Sequence, residues 1–119
     1  MKTVLNLRIA GKRVFMGKGV KILLEAIDEH HSIKKASEIT GISYTKASKM
    51  IRTLEAETGI KVVSSKKGGK DFGGTSLTEE GRIILDSYGA ILEKVENYAQ
   101  TLVDEEFILP KNPEESESR

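Results

Sequence analysis

The chain has 119 residues and a mass of 13.1 kDa, enough for one domain with a modest core and too little for two ordinary ones. It holds no cysteine, which excludes a disulfide framework, a thiolate metal site and a cysteine nucleophile, and no apolar run approaches the roughly 20 residues that span a bilayer, so the expected location is the cytoplasm. The net charge of +1 hides two opposed halves: residues 1–70 carry 15 Lys and Arg against 6 Asp and Glu, a net of +9, and residues 71–119 carry 4 against 12, a net of −8; this points to a basic working surface for a polyanion and an acidic remainder.

Residues 3–9 alternate loosely and are rich in Val, Leu and Ile; with a turn at Ala10-Gly11-Lys12-Arg13 and a return over Val14-Phe15-Met16 they predict an N-terminal hairpin. Polar residues interrupt the apolar ones from the start, so residues 1–8 do not read as a signal peptide. From about Gly17 the period changes. Val20, Leu23, Leu24 and Ile27 stand at i, i+3, i+4 and i+7, predicting an amphipathic helix over 18–30 that ends at His30-His31, where imidazole can meet the last carbonyls. Ser32 is the expected N-cap of a short helix over 33–40 with Ile33, Ala36 and Ile39 inward, and Gly41 its stop. Ser43 caps a third helix from Tyr44 to Thr58, stopped by Gly59.

Ile60 to Ser65 is β-branched and strand-like, and Thr75-Ser76-Leu77 can return beside it. Between them, Lys66 to Gly74 is rich in glycine and lysine. Thr78 caps a long helix that opens on Glu79-Glu80, acids at the positive end of the dipole, and reaches Val103 or a little beyond. Pro110 and Pro113 bracket an acidic, serine-containing tail with almost nothing to bury, which predicts disorder for the last ten or so residues.

Two helices joined by Thr40-Gly41-Ile42-Ser43 fit a helix-turn-helix. The second must dock through one apolar face and offer a small, polar or basic face to the DNA major groove. Ala47, Ile51, Leu54 and Thr58 form the first face; Thr45, Lys49, Arg52, Thr53 and Ala56 lie on the other, flanked by Lys46 and Ser48. Its first two turns contain no acid, and Glu55 and Glu57 come where the helix would leave the groove. In the long helix, Ile84, Tyr88, Ile91, Val95, Tyr98 and Leu102 are spaced 4, 3, 4, 3, 4, an a/d seam that a small core cannot cover and a second copy can. Leu85 and Leu92 add a second row.

The run Ser43-Tyr44-Thr45-Lys46-Ala47-Ser48-Lys49-Met50-Ile51-Arg52-Thr53-Leu54-Glu55 with Gly59, and the later Leu77-Thr78-Glu79-Glu80-Gly81, resemble the signature of LysR-type winged helix-turn-helix regulators. Gly41-Ile42-Ser43-Tyr44, the N-terminal hairpin and the glycine-rich stretch before Leu77-Thr78 are more closely similar to the N-terminal domain of molybdate-responsive regulators of the ModE type. The resemblance covers about residues 3–105. It implies DNA binding, with Lys66–Gly74 as a wing whose Lys66, Lys67 and Lys70 reach phosphates, and a long helix that links two copies. The molybdate-binding region that follows this domain in ModE has no room before Arg119, so no molybdate site is expected within these residues.

Other chemistry finds no support. Gly11 to Gly17-Lys18-Gly19 comes near a phosphate loop but has five intervening residues and no Ser or Thr after the lysine. His30 and His31 have no partner cluster, and no catalytic grouping emerges, so neither a metal, a cofactor nor an enzymatic activity is expected. The expected fold class is mainly α with small β hairpins: a winged helix-turn-helix over 1–78, a long dimerisation helix over 79–106 and an acidic tail over 107–119. The expected function is that of a homodimeric regulator binding double-stranded DNA. Lys34, Lys35, Arg52 and the wing lysines hold phosphates, Tyr44, Thr45, Ser48 and Lys49 meet bases, and Lys46 flanks them. The competing reading is a winged-helix module whose basic face docks an acidic protein.

Overall fold

The computed structural model describes residues 1–66 and 74–114. In chain order it contains β1 (Ile9–Ala10), β2 (Val14–Met16), α1 (Lys18–His30), α2 (Ile33–Thr40), α3 (Tyr44–Thr58), β3 (Val63–Lys66), β4 (Gly74–Leu77) and α4 (Glu79–Glu106). The strands form two separate antiparallel pairs, β1 with β2 and β3 with β4. Among the described residues no helix is long and apolar enough to cross a membrane.

The first strand is far shorter than the alternation of residues 3–9 predicts. Residues 1–8 instead form an extended arm along α4. Thr3, Leu5 and Leu7 are half-buried while Val4, Asn6 and Arg8 are exposed, so the period of two is real, but the arm's partner is a helix and not a strand. Side chains of α4 pin three of its backbone groups: the Thr3 amide donates to Gln100 Oε1 at 2.9 Å, Gln100 Nε2 donates to the Met1 carbonyl at 2.9 Å, and the Tyr88 hydroxyl donates to the Leu7 carbonyl at 2.7 Å.

The helices begin and end where capping chemistry places them. Ser32 Oγ accepts the Lys35 amide at 3.0 Å, Ser43 Oγ the Lys46 amide at 3.1 Å and Thr78 Oγ1 the Gly81 amide at 2.9 Å. Gly41 and Gly59 close α2 and α3 at φ 77° and 70°. At the end of α1 the backbone of His31 takes this role, in the left-handed region at φ 54° with its amide on the Ile27 carbonyl. The expected contact of imidazole with the last carbonyls is not formed; His30 Nε2 instead lies 3.7 Å from Glu29.

Val20, Leu23, Leu24 and Ile27 of α1 meet Ala36 of α2, Ala47, Ile51 and Leu54 of α3, and Leu85, Tyr88 and Leu92 of α4 in one core. Ile39 is not part of it and is 54% exposed. Six residues after Ile33, a helix has turned about 120° away from the starting face. Ser37 takes the inward position, its hydroxyl donating to the Lys34 carbonyl at 2.7 Å.

The strand expected from Ile60 begins only at Val63, because the Val62 amide is turned to Glu55 of α3. The pair β3–β4 runs in the register Val63–Leu77, Ser64–Ser76, Ser65–Thr75 and Lys66–Gly74. Directly after it, α4 crosses the Val62 backbone so closely that a Cβ at Gly81 would run into the Val62 carbonyl. This close approach accounts for the glycine of the Leu-Thr-x-x-Gly motif. Arg82 fixes the same end of α4 to α1 through a two-pronged pair with Asp28, at 2.9 and 2.6 Å.

Tyr88 corrects the expected seam. It is 1% exposed and lies in the core of its own domain, where burial pushes its phenol above the ordinary tyrosine range. It stands at the edge of the stripe nearest Leu85 and Leu92, which are also buried, and so faces α1 and the N-terminal arm.

Candidate nucleic-acid interface

The geometry around α3 follows from its apolar face. With Ala47, Ile51 and Leu54 held in the core, the opposite side carries Thr45, Lys46, Lys49 and Arg52, all exposed, and Ser48, half-buried at its margin. Tyr44, at the first turn, is 55% exposed. Lys34 and Lys35 project from the first turn of α2 and are also exposed. Among the described residues, the side chains of Lys34, Lys35, Lys46, Lys49 and Arg52 make no ion pair, whereas Arg13, Lys18, Lys21 and Arg82 are each paired with an acid of this chain.

The acids of α3 do not face outward with these cations. Glu55 and Glu57 stand on opposite edges of the apolar face, each about 80° from its centre, and each holds one hairpin. Glu55 Oε2 accepts the amides of Val62 and Val63 at 2.8 and 3.4 Å, fixing the entry to β3. Glu57 Oε1 accepts the amides of Lys12 and Arg13 at 2.7 and 3.0 Å, and its Oε2 lies 3.2 Å from Arg13 Nε. The Arg13 amide and guanidinium together with the Lys12 amide hold the Glu57 carboxyl below the ordinary glutamate range. Glu55 and Glu57, expected where the helix would leave the groove, are thus each engaged by a hairpin. Glu55 stands seven residues before the Val62 amide it accepts, but the loop held by Glu57 lies 44 and 45 residues away in the chain, so nothing local in the sequence marks that anchor.

Each edge of α3 borders a cavity. On the side of Glu55, a cleft of about 480 Å³ is lined by His31, Ser32, Ile33, Lys34, Tyr44, Ser65, Gly74 and Thr75. It exists because β4 is tied to the turn between α1 and α2: the Thr75 amide donates to the His31 carbonyl at 2.9 Å. This cleft joins the first turns of α2 and α3 to the β3–β4 hairpin, so Lys34 and Tyr44 of the expected site come together there. On the side of Glu57, a cavity of about 370 Å³ has Arg8, Lys18 and Lys46 at its rim and Phe15, Met16, Val20 and Met50 among its apolar walls.

Of the expected wing lysines, Lys67 and Lys70 lie outside the described residues, and Lys66 is described through its backbone, opposite Gly74. The expected tail likewise lies partly outside them, from residue 115 on. Along α4, Ile91 is 45% and Tyr98 66% exposed, Val95 is exposed beside them, and Ile84 and Leu102 are half-buried. Of the expected seam, Ile91, Val95 and Tyr98 are therefore the exposed part, while Tyr88 is buried in the domain's own core and Ile84 packs against it.

The arrangement is that of a winged helix: three helices, a hairpin that follows the third, and a long helix behind them. The BenM DNA-binding domain, solved in complex with benA site 1 DNA, has the same fold. It superposes with a TM-score of 0.51 at 23% identity, over 71% of this chain and 88% of that one. In sequence, the chain is 38% identical over 69 residues to the molybdenum transport protein ModE of Azotobacter vinelandii, a match covering 58% of this chain and 26% of the relative. It is 36% identical over 76 residues to the molybdenum-pterin-binding protein MopB of Rhodobacter capsulatus, covering 64% and 28%. The chain thus spans about a quarter of the length of these curated relatives. The family profile described as bacterial regulatory helix-turn-helix protein, lysR family, matches residues 22–82. These residues take in all of α2 and α3, both strands of the second hairpin and the start of α4, more than half of the chain. On this match the chain belongs to the lysR family of bacterial regulatory helix-turn-helix proteins.

Proposed function

We propose that this chain binds double-stranded DNA as a homodimeric regulator of transcription, with α3 in the major groove. The observation that carries the reading is the separation of charge on α3: its exposed cations are without partners among the described residues, while its two acids are spent on the hairpins. A basic face of this kind would also suit an acidic protein; what favours DNA is that it lies on the second helix of a helix-turn-helix in a chain of the lysR regulatory family. Lys34, Lys35 and Arg52 hold phosphates, joined by Lys66, Lys67 and Lys70 of the wing; Tyr44, Thr45, Ser48 and Lys49 meet base edges, with Lys46 at their flank. Residues 1–78 form the DNA-binding unit, residues 79–106 join two copies, and residues 107–119 stand outside both. Ile84, Ile91, Val95, Tyr98 and Leu102 supply the contact between copies, which sets two α3 helices against one face of a duplex and favours an inverted-repeat site. The reading places the protein with DNA in the cytoplasm and assigns these residues no enzymatic activity or cofactor.

Mobility shift of labelled genomic fragments in excess nonspecific competitor tests it, and a specific shift is expected. With about six phosphates contacted per dimer, the log–log dependence of affinity on salt should have a slope near −5. Lys49→Ala should cost about 1–3 kcal/mol at a preferred site and relax base preference. A slope flatter than about −2, or equal loss on preferred and random duplexes, would count against the assignment.

A further inference from the structure

The cavity on the Glu57 side of α3 meets the expected site only at Lys46, and it gathers cations from separate parts of the chain. Arg8 comes from the N-terminal arm, Lys18 from α1 and Lys46 from α3. Arg8 is directed there by two features. The Leu7 carbonyl just before it is gripped by the Tyr88 hydroxyl at 2.7 Å. Its aliphatic stem then lies over Gly17: a Cβ at that position would stand 3.3 Å from Arg8 Cγ and 3.9 Å from Cδ. Gly17 is extended, at φ −169°, so what the glycine provides is room for the arginine. Of the Gly17-Lys18-Gly19 sequence that came near a phosphate loop, Gly17 thus makes room for Arg8, while Gly19 faces Met50.

Lys18 is partly engaged, its Nζ 3.6 Å from Glu96 of α4. Arg8 and Lys46 make no ion pair among the described residues. A helix about 10–12 Å across fills a major groove about 12 Å wide, so the two phosphate chains that border the groove pass on either side of it. The cleft with Lys34 and Tyr44 meets one of them. The Arg8–Lys46 cavity lies on the opposite edge of α3, where the other passes.

We propose that Arg8, set in place by Tyr88 and Gly17 and flanked by Lys46, clamps a DNA phosphate on the strand across the major groove from the wing. The clamp rests on the DNA-binding reading and adds a contact that neither α2, α3 nor the wing supplies. A guanidinium suits it, since its planar fork donates two hydrogen bonds to one phosphate. Tyr88 is a positioning residue here: it touches the arm and not the DNA.

The test compares full-length wild type, Arg8→Gln, Arg8→Lys, Lys34→Gln and Tyr88→Phe on a selected site and on random duplex, with folding checked by circular dichroism. Arg8→Gln should weaken binding about three- to tenfold on both duplexes and reduce the salt slope by about 1 per protomer. Arg8→Lys should restore the slope. Phosphate-ethylation interference should be relieved by Arg8→Gln and by Lys34→Gln at different phosphates, on opposite strands of one groove. Tyr88→Phe should weaken the wild type but add nothing to Arg8→Gln, as expected for residues acting as one unit. An unchanged slope for Arg8→Gln, or relief at the same phosphates as Lys34→Gln, overturns the clamp while leaving DNA binding intact. Arg8-dependent binding of inorganic phosphate with unaltered duplex affinity assigns the cavity to a free anion and also overturns it. A wild type that binds no duplex at any salt overturns both readings.

Discussion

The two halves of α4 carry one apolar stripe and put it to different uses. In residues 79–92 the helix is part of the domain: Gly81 is pressed against the Val62 backbone, and Leu85, Tyr88 and Leu92 are buried. In residues 93–106 none is buried; the N-terminal arm lies on the helix there, pinned through Gln100, and Lys18 of α1 reaches Glu96. A helix of 28 residues is about 42 Å long. Three short helices and a hairpin can cover only the near part of it. The difference teaches that spacing reveals an apolar stripe, whereas its owner is set by where the rest of the domain stops.

This contrast can be broken most severely at Gly81. Gly81→Val drives two methyls and a Cβ into backbone that cannot yield and should cost about 3 kcal/mol or more, seen as a collapse of the urea midpoint. A mild loss would mean that the near half of α4 is docked less tightly than its contact with Val62 requires. Next in size is the far half. Ile91→Glu with Val95→Glu should dissociate the dimer in light scattering and sharply lower operator affinity, because each half-site is then bound without linkage to the other. Its helical circular dichroism should stay, since both positions are exposed in the single chain. An unchanged dimer would assign association to another surface; an unfolded mutant would return the strip to the domain's own core.

Tyr88 lies at the border between the two uses and sharpens it. Tyr88→Phe keeps the ring in the core and removes the hydrogen bond to Leu7, for an expected loss of about 1 kcal/mol with the oligomeric state intact. Dissociation without loss of stability would put Tyr88 back in the seam. The smallest effect is expected at the Arg82–Asp28 pair, which is largely exposed. The hydrogen bonds from Arg82 hold the Asp28 carboxyl below its ordinary value of 3.8. A carboxyl depressed in the folded state stabilises in full above that value and loses its contribution as pH falls through the lower, folded one. Asp28→Asn should therefore flatten the acid limb of a stability–pH curve below about pH 4 and change neither dimer nor DNA binding.

Much of this protein is written locally. Ser32, Ser43 and Thr78 cap their helices because a hydroxyl one residue before a helix can take an orphan amide, and Gly41 and Gly59 end theirs because the left-handed turn favours glycine. The basic face of α3 was legible for the same reason: opposite faces follow from a fixed turn per residue. What the sequence could not assign were the partners of groups that looked free. The alternating arm of residues 1–8 is paired with a helix, through Gln100 and Tyr88, because extended backbone requires hydrogen-bond partners and does not specify that they be strands. Glu55 and Glu57 serve as anchors for two hairpins, and Arg8 reaches a cavity beside Lys46 through a tyrosine 80 residues further on. Local rules fix where elements start, stop and face, since their energies lie within a turn or two of chain. Only the packed structure decides which distant side chain meets each remaining polar group, because that depends on how the elements are stacked.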